Sequence, residues 1–224
     1  MRKIALIGGV GYIIIFITGI FANFGVLESL KDPESFDNTY NQLKEAKELF
    51  KLGLLAFLVM VIADLVLTWV LSRLFRQVNP GLNQITAWFR LVNVILFGVA
   101  LYHLFDVLYL IGPGDQFAGL IQQELPFFID RSLHSFNTTW LIGLVFFGVH
   151  LILLSRLICK SGQIHKSTSS LLFIAGIGYV LDSLLQFFYE DYGSISEISA
   201  LVVVLPGLIG ELALTGWLLF KGGK

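Results

Sequence analysis

The chain alternates long apolar runs with short polar segments, and the runs set its architecture. Each of six runs reaches the roughly 20 residues that a helix needs to cross a bilayer. They cover residues 4–27, 49–74, 88–111, 133–158, 170–189 and 198–220. The pattern predicts an all-α fold, in which six transmembrane helices form a single bundle and residues 1–224 form one domain.

The connecting segments are polar and short. Residues 28–48 are rich in charge, and they predict a short amphipathic helix after Pro33. Turn signals follow at Asn79-Pro80-Gly81 and at Gly112-Pro113-Gly114. None of these segments is long enough to form a soluble domain.

The low content of charged residues supports this architecture, and their distribution indicates how the bundle is oriented in the membrane. Only 14% of the residues are charged, against roughly 25% in soluble domains, and the net charge is −1. With a cytoplasmic amino terminus, nine basic residues and no acid fall on the inner side, whereas twelve acids and five basic residues fall on the outer side. The positive-inside rule then places both termini in the cytoplasm, and we expect a multi-pass membrane protein. Because the chain has no basic run, the lipid bilayer is the expected partner and nucleic acid is excluded.

Five ionisable residues lie within the apolar runs at neighbouring depths, each in a different predicted helix. They are Asp64, Arg90, His150, Asp182 and Glu211. Such a residue costs about 2.5–3.5 kcal/mol at the centre of a bilayer, so each one marks a candidate functional site. At a rise of about 1.5 Å per residue, all five fall into one slab of the membrane core.

The charges in this slab do not balance. Arg90 is its only permanent cation, so at least one of Asp64, Asp182 and Glu211 is expected to be protonated, to share a proton with His150 or to face water. The five residues therefore predict a polar pocket that binds a small polar or amphipathic ligand or relays protons. In this hypothesis Arg90 anchors an anion or a carboxylate and His150 titrates near neutral pH. Asp182 and Glu211 share protons.

Two other functions fit the same residues. Polar side chains inside a membrane also join helices by hydrogen bonds. The protein would then be a structural or accessory subunit of a membrane complex, or a homo-oligomer, whose buried polar network only locks the helix packing. Asn93, one turn from Arg90, is expected to bond a neighbouring helix in this way. The remaining alternative is an intramembrane lipid-modifying enzyme.

The sequence indicates neither a metal site nor a cofactor. Zinc commonly takes three protein ligands, and His150 is the only histidine deep within an apolar run. Cys159 is the only cysteine, so it has no partner for a disulfide or a paired-cysteine metal site. No G-x-S-x-G motif, glycine-rich phosphate loop or haem attachment motif is present. We therefore expect no metal and no cofactor, and a non-enzymatic role is favoured.

Several stretches that carry these residues resemble one family. They are residues 2–21 (RKIALIGGVGYIIIFITGIF), Phe50-Lys51-Leu52-Gly53 leading to Asp64, Val78-Asn79, Phe89-Arg90-Leu91, residues 143–150 (GLVFFGVH), residues 178–183 (GYVLDS) and residues 206–219 from Pro206 to Leu219. Together they are similar, in order and over nearly the whole chain, to the bacterial membrane family known as domain of unknown function 4386. The resemblance implies a six-helix prokaryotic inner-membrane protein without an established activity. The chain departs from the family pattern after Ser161-Gly162, where Gln163-Ile164-His165-Lys166 replaces a turn of the Leu-Pro-Arg type.

Overall fold

The computed structural model describes residues 1–112 and 124–223, and for Glu197 and Ala200 it describes the backbone alone. These residues are mostly helical and contain no β-strand. The α-helices are α1 Arg2–Ile20, α2 Phe36–Glu45, α3 Lys47–Phe75, α4 Pro80–Leu110, α5 Leu125–Ser161, α6 Lys166–Phe188 and α7 Ser196–Phe220. Most of the predicted Gly112-Pro113-Gly114 turn lies outside the described residues.

Six helical segments in the described residues are long and apolar enough to cross a membrane. They are Arg2–Leu30, Lys47–Phe75, Pro80–Leu110, Leu125–Ser161, Lys166–Phe188 and Leu201–Phe220. The first segment continues α1 through a π-helical stretch, Phe21–Leu27, and a 3₁₀ turn, Glu28–Leu30. The predicted all-α fold with six spans is confirmed.

Two helices begin about two turns before their apolar runs. α4 starts at Pro80 and α5 at Leu125, whereas the runs begin at residues 88 and 133. Asn79 explains the first difference, because its Oδ1 accepts a hydrogen bond from the Leu82 amide at 3.0 Å and so caps α4. Pro80 then occupies the first helical position, where a missing N–H costs nothing. The Asn-Pro-Gly signal thus marks a helix start.

The short helix expected after Pro33 is present as α2, Phe36–Glu45. Ser35 caps it, since its hydroxyl accepts a hydrogen bond from the Asn38 amide at 3.2 Å. Thr39 and Leu43 are buried, one turn apart on one face. α2 is therefore amphipathic.

The chain divides into two compact units, each made of separate stretches of sequence. The first unit comprises Met1–Ile13, Ala63–Ile95 and Leu141–Lys224, and the second comprises Ile14–Ile62 and Leu96–Trp140. The single-domain organisation of residues 1–224 stays a prediction. All five candidate site residues belong to the first unit.

In the first unit, α5 and α6 approach each other at two glycines. A Cβ atom added to Gly148 would lie 2.6 Å from the carbonyl oxygen of Gly176, and the reverse distance is also 2.6 Å. Small residues allow such close backbone approach, which supplies packing energy inside a membrane. The two glycines thus fix how near the helix that carries His150 lies to the helix that carries Asp182.

In the first unit, the start of α1 lies next to the end of α7. The guanidinium of Arg2 donates hydrogen bonds to the carbonyl oxygens of Leu218, at 2.9 Å, and Gly222, at 3.2 Å. The last carbonyl groups of a helix have no intrahelical partner, and a cation there also complements the helix dipole. Arg2 therefore ties the start of α1 to the end of α7.

In the second unit, the core is aromatic. The rings of Phe97 and Trp140 stack with centroids 3.7 Å apart, and the rings of Phe57 and Phe136 lie 5.6 and 5.4 Å from that of Trp140. Tilted and edge-on pairs, such as those of Trp140 with Phe136 and Phe57, stabilise by about 0.5–1.5 kcal/mol beyond the area that they bury. This cluster joins α3, α4 and α5 within the unit.

Candidate functional site

Arg90 stands at the centre of a buried polar cluster. Its Nη2 forms an ion pair and hydrogen bond with Oδ1 of Asp64, and its Nη1 lies 3.0 Å from Nε2 of His150. The exposed fractions are 2% for Arg90, 5% for Asp64 and 1% for His150. Three residues that the sequence places at similar depth are thus in direct contact, one each from α3, α4 and α5.

The hydrogen bonds of His150 define its tautomer. Arg90 can only donate, so Nε2 of His150 accepts from it. The carbonyl oxygen of Thr86 can only accept, so Nδ1, 2.9 Å away, carries the hydrogen. His150 is therefore a neutral imidazole with both ring nitrogens engaged, and this geometry does not suit the titrating role that the sequence suggested for it.

Two aromatic rings enclose the guanidinium of Arg90. Its Cζ lies 5.7 Å from the ring centre of Tyr12 and 5.5 Å from that of Phe147. Cation–π contacts of this length are worth about 2 kcal/mol when desolvated, so the rings hold Arg90 in place. Sequence reasoning missed both residues. Only Phe147 carries a signal, because it lies one turn before His150 on α5.

Asn93 extends the cluster toward the neighbouring helix. Its Nδ2 donates a hydrogen bond to the carbonyl oxygen of Gly143 at 3.1 Å, and the side chain is fully buried. This is the bond to a neighbouring helix that the sequence suggested. Asn93 therefore joins α4 to α5 one turn away from Arg90.

Glu211 lies near this cluster but outside its hydrogen bonds. Its carboxyl group interacts electrostatically with Arg90 and Asp64, and the residue is 9% exposed. Its Oε1 is buried and has no hydrogen-bond partner among the described residues. Thr215, one turn along α7, donates to the Glu211 backbone carbonyl at 2.7 Å. The carboxyl group is therefore the least satisfied acid in the cluster.

Asp182 belongs to a second cluster. Its carboxylate accepts hydrogen bonds from Gln186 at 2.9 Å and from the Tyr192 hydroxyl at 2.7 Å, and the Ser199 hydroxyl is a third donor. These donors come from α6, from the 3₁₀ turn Tyr192–Ser194 and from the first turn of α7. The structure thus brings four of the five predicted residues together and gives Asp182 other partners.

Burial and the carboxylate of Asp182 make Tyr192 harder to ionise. Partial burial, together with the hydrogen bond to Asp182, raises the pKa of Tyr192 to about 12. Sequence reasoning missed Tyr192 and Ser199, since polar residues next to a helix end ordinarily face water. The only available signal was their closeness in sequence to the start of the last apolar run.

Tyr179 interacts electrostatically with one residue of each cluster. It precedes Asp182 by one turn of α6, and its ring packs edge-on against Phe147 with centroids 5.3 Å apart. Its hydroxyl group interacts electrostatically with both Glu211 and Asp182. The charges of both clusters therefore act on the Tyr179 hydroxyl group.

The part of the chain that the structure describes contains no candidate metal site, because no three His, Cys, Asp or Glu residues in it lie close enough to hold an ion. Among the described residues outside the cluster, one histidine lies close to an acid, in the second unit. There, Nδ1 of His103 lies 3.9 Å from Oδ2 of Asp106, and both side chains are partly exposed.

The fold and these contacts define a polytopic, all-α membrane protein with ionisable side chains buried among its helices. The chain belongs to the family described as domain of unknown function (DUF4386), whose model matches residues 7–222. It is also similar to an uncharacterized protein of Archaeoglobus fulgidus, at 29% identity over 172 residues, which cover 77% of this chain and 85% of the relative. No solved structure matches the chain.

Proposed function

We propose that this protein relays protons through its membrane-embedded helices, with Glu211 as the group that holds and releases the proton. The observation that carries the proposal is the Glu211 carboxyl group, whose buried Oε1 has no hydrogen-bond partner among the described residues. A titrating carboxyl must be able to exist in both forms. A carboxylate locked by several donors would be confined to the charged one.

Charge balance around Arg90 supports this role. The single positive charge of Arg90 is matched by Asp64, and His150 is neutral in the tautomer that its bonds define. A second negative charge at Glu211 would therefore be uncompensated. An uncompensated carboxylate in an apolar interior is costly, so Glu211 holds a proton at rest and gives it up when water or a cationic ligand reaches it.

The second cluster supplies the other end of the relay. Asp182 is only half-buried, and its partners Tyr192 and Ser199 lie at or beyond the end of α6. Tyr179 interacts with both Asp182 and Glu211. The proposed path runs from water beside Asp182 through Tyr179 to Glu211, with bridging water completing the hydrogen bonds along it.

A structural function is the second candidate, and one observation favours it for part of the cluster. Asp64, Arg90, His150 and the Thr86 carbonyl form a continuous buried network across three helices. Such a network restricts how helices pack. We assign this locking role to the network and the proton to Glu211, so the two functions are separable by mutation.

The charge asymmetry of the loops supports a cytoplasmic-membrane location with both termini inside. Arg2 holds the end of α7 next to the start of α1, so the two termini share one side in this proposal. That side is the one predicted to carry the excess of basic residues.

Proton flux into liposomes tests the proposal. Purified protein is reconstituted with a trapped pH-sensitive dye, and an inward proton gradient is imposed with potassium and valinomycin holding the potential at zero. Wild-type vesicles should acidify faster than empty vesicles, and Glu211→Gln should remove the difference. Glu190→Gln, an exposed acid outside the clusters, is the matched control and should keep it. Equal rates in wild-type and Glu211→Gln vesicles would contradict the proposal.

A further inference from the structure

A groove runs between α3 and α4 in the first unit, beside the turn that joins them. Its volume is about 680 Å³, within the range of about 300–1,000 Å³ typical of small-molecule sites. Residues of both helices line it, all of them between Leu65 and Leu91. The groove is separate from Glu211, which is on α7.

The lining follows one face of each helix. On α3, Leu65, Trp69 and Arg73 recur at spacings of four residues, and Arg76 follows in the turn after the helix ends at Phe75. Residues at such spacings share one side of a helix. On α4, Trp88 and Leu91 are three residues apart and belong to the same groove.

The groove changes character along its length. Arg73 lies in the last turn of α3 and Arg76 lies in the connecting turn, whereas Leu65 is two helical turns deeper than Arg73. Trp69 and Trp88 lie between these levels and are 50% and 58% exposed. Tryptophan prefers the headgroup level of a bilayer, so the arginines are at or beyond that level and the leucines lie in the hydrocarbon.

The charge in the groove is positive and uncompensated. No acidic residue lines it, and within the described ranges neither Arg73 nor Arg76 forms an ion pair. The same two arginines also border a neighbouring cavity of about 370 Å³ beside Met1 and Trp217. Asn83, another lining residue, already donates to the Ser72 carbonyl at 2.8 Å, which leaves the arginines as the cationic donors of the groove.

We propose that this groove binds an anionic phospholipid, with its phosphate between Arg73 and Arg76 and an acyl chain along Leu65 and Leu91. Guanidinium groups suit phosphate oxygens because they donate paired hydrogen bonds in a planar geometry. Basic sites between transmembrane helices on the cytoplasmic side bind anionic headgroups, and this end of α3 is the side predicted to be cytoplasmic. The apolar end of the groove selects a lipid over a free phosphate, which would leave that end empty.

Lipid titration by native mass spectrometry tests the site. The full-length protein is exchanged into detergent and titrated with phosphatidylglycerol or with phosphatidylcholine of the same acyl chains. We expect one phosphatidylglycerol to bind more tightly than phosphatidylcholine. In Arg73→Gln/Arg76→Gln, the affinity for phosphatidylglycerol should fall about 30-fold, the equivalent of about 1 kcal/mol for each arginine.

Matched variants and a competitor make the result decisive. Arg156→Gln removes one exposed arginine that does not line the groove, and it should leave the affinity unchanged. Arg76→Gln alone should lose about fivefold. Equal affinity for the two lipids, an equal loss in Arg156→Gln, or displacement of the lipid by millimolar inorganic phosphate would overturn the proposal, the last because it would indicate a simple anion site.

Discussion

Nη1 of Arg90 lies 3.0 Å from Nε2 of His150, and Nδ1 of the same imidazole lies 2.9 Å from the Thr86 carbonyl oxygen. A buried cation and a histidine can share such a contact only when the histidine accepts. His150 thus serves as a neutral acceptor that holds Arg90 against Asp64. This relationship separates the fixed charges of the cluster from the one acid, Glu211, that lacks hydrogen-bond compensation at Oε1.

The tautomer of His150 is directly testable. With ¹⁵N-labelled histidine, the protein at pH 7 should show one imidazole with the hydrogen on Nδ1 and an unprotonated Nε2. His150→Asn identifies the signal by its disappearance. His165, which is exposed, provides the internal comparison because it should exchange with water. A His150 signal with both nitrogens protonated at pH 7 would contradict the bonding described here.

Removing Arg90 should destabilise the protein strongly. Arg90→Met leaves Asp64 buried without its cation, which typically costs about 3–5 kcal/mol. The paired change Arg90→Met/Asp64→Leu removes both charges, so it should recover a large part of the loss. Thermal unfolding in detergent, with the two single variants and the double variant, measures the coupling. Strictly additive losses would show that the ion pair has no energetic role.

The contact between Gly148 and Gly176 predicts a steric effect. Gly148→Ala brings a methyl group to 2.6 Å from the Gly176 carbonyl oxygen, so α5 and α6 must separate. Overpacking of this kind costs about 1–3 kcal/mol. Gly216→Ala is the control, because nothing lies within 4 Å of a Cβ atom there and alanine favours a helix. The unfolding temperature should fall in the first variant and not in the second.

The six spans were predictable because the length of an apolar run alone sets whether a helix can cross a bilayer. The starts of α4 and α5 were not, since polar residues separate each of these helix starts from the apolar run that follows it. Asn79 and Pro80 suit both a turn and the start of a helix. The hydrogen bond that the Leu82 amide donates to Asn79 shows that they cap a helix here.

The depth of the candidate site residues in the membrane was predictable from the sequence, but the direction of their side chains was not. Counting residues along each helix placed Asp64, Arg90 and His150 at similar levels, and they are in contact. Which way a side chain points around its helix depends on neighbouring helices, so the partners of Asp182 could not be foreseen. The contact of Tyr12 with Arg90 could not be predicted for another reason. An aromatic residue in an apolar run is ordinarily a core residue without a specific role.

The Asp182 cluster predicts a pH effect on stability. The pKa of Tyr192 is raised from 10.0 to about 12, so its contribution is fully present below pH 10 and is lost as the pH rises through about 12. Unfolding in this window releases a proton that the folded protein retains. Tyr192→Phe cannot ionise, so its stability should decline less between pH 10 and pH 12. Identical pH profiles for wild type and Tyr192→Phe would contradict the assignment.

Infrared spectroscopy of the protein in lipid at pH 7 tests most directly whether Glu211 holds a proton. A protonated carboxyl group shows a carbonyl stretch that a carboxylate lacks. The wild type should show this band at the frequency of a carboxyl group in apolar surroundings. Glu211→Gln should lose the band, and Glu190→Gln should keep it. Survival of the band in Glu211→Gln, or its absence from the wild type, would contradict the account.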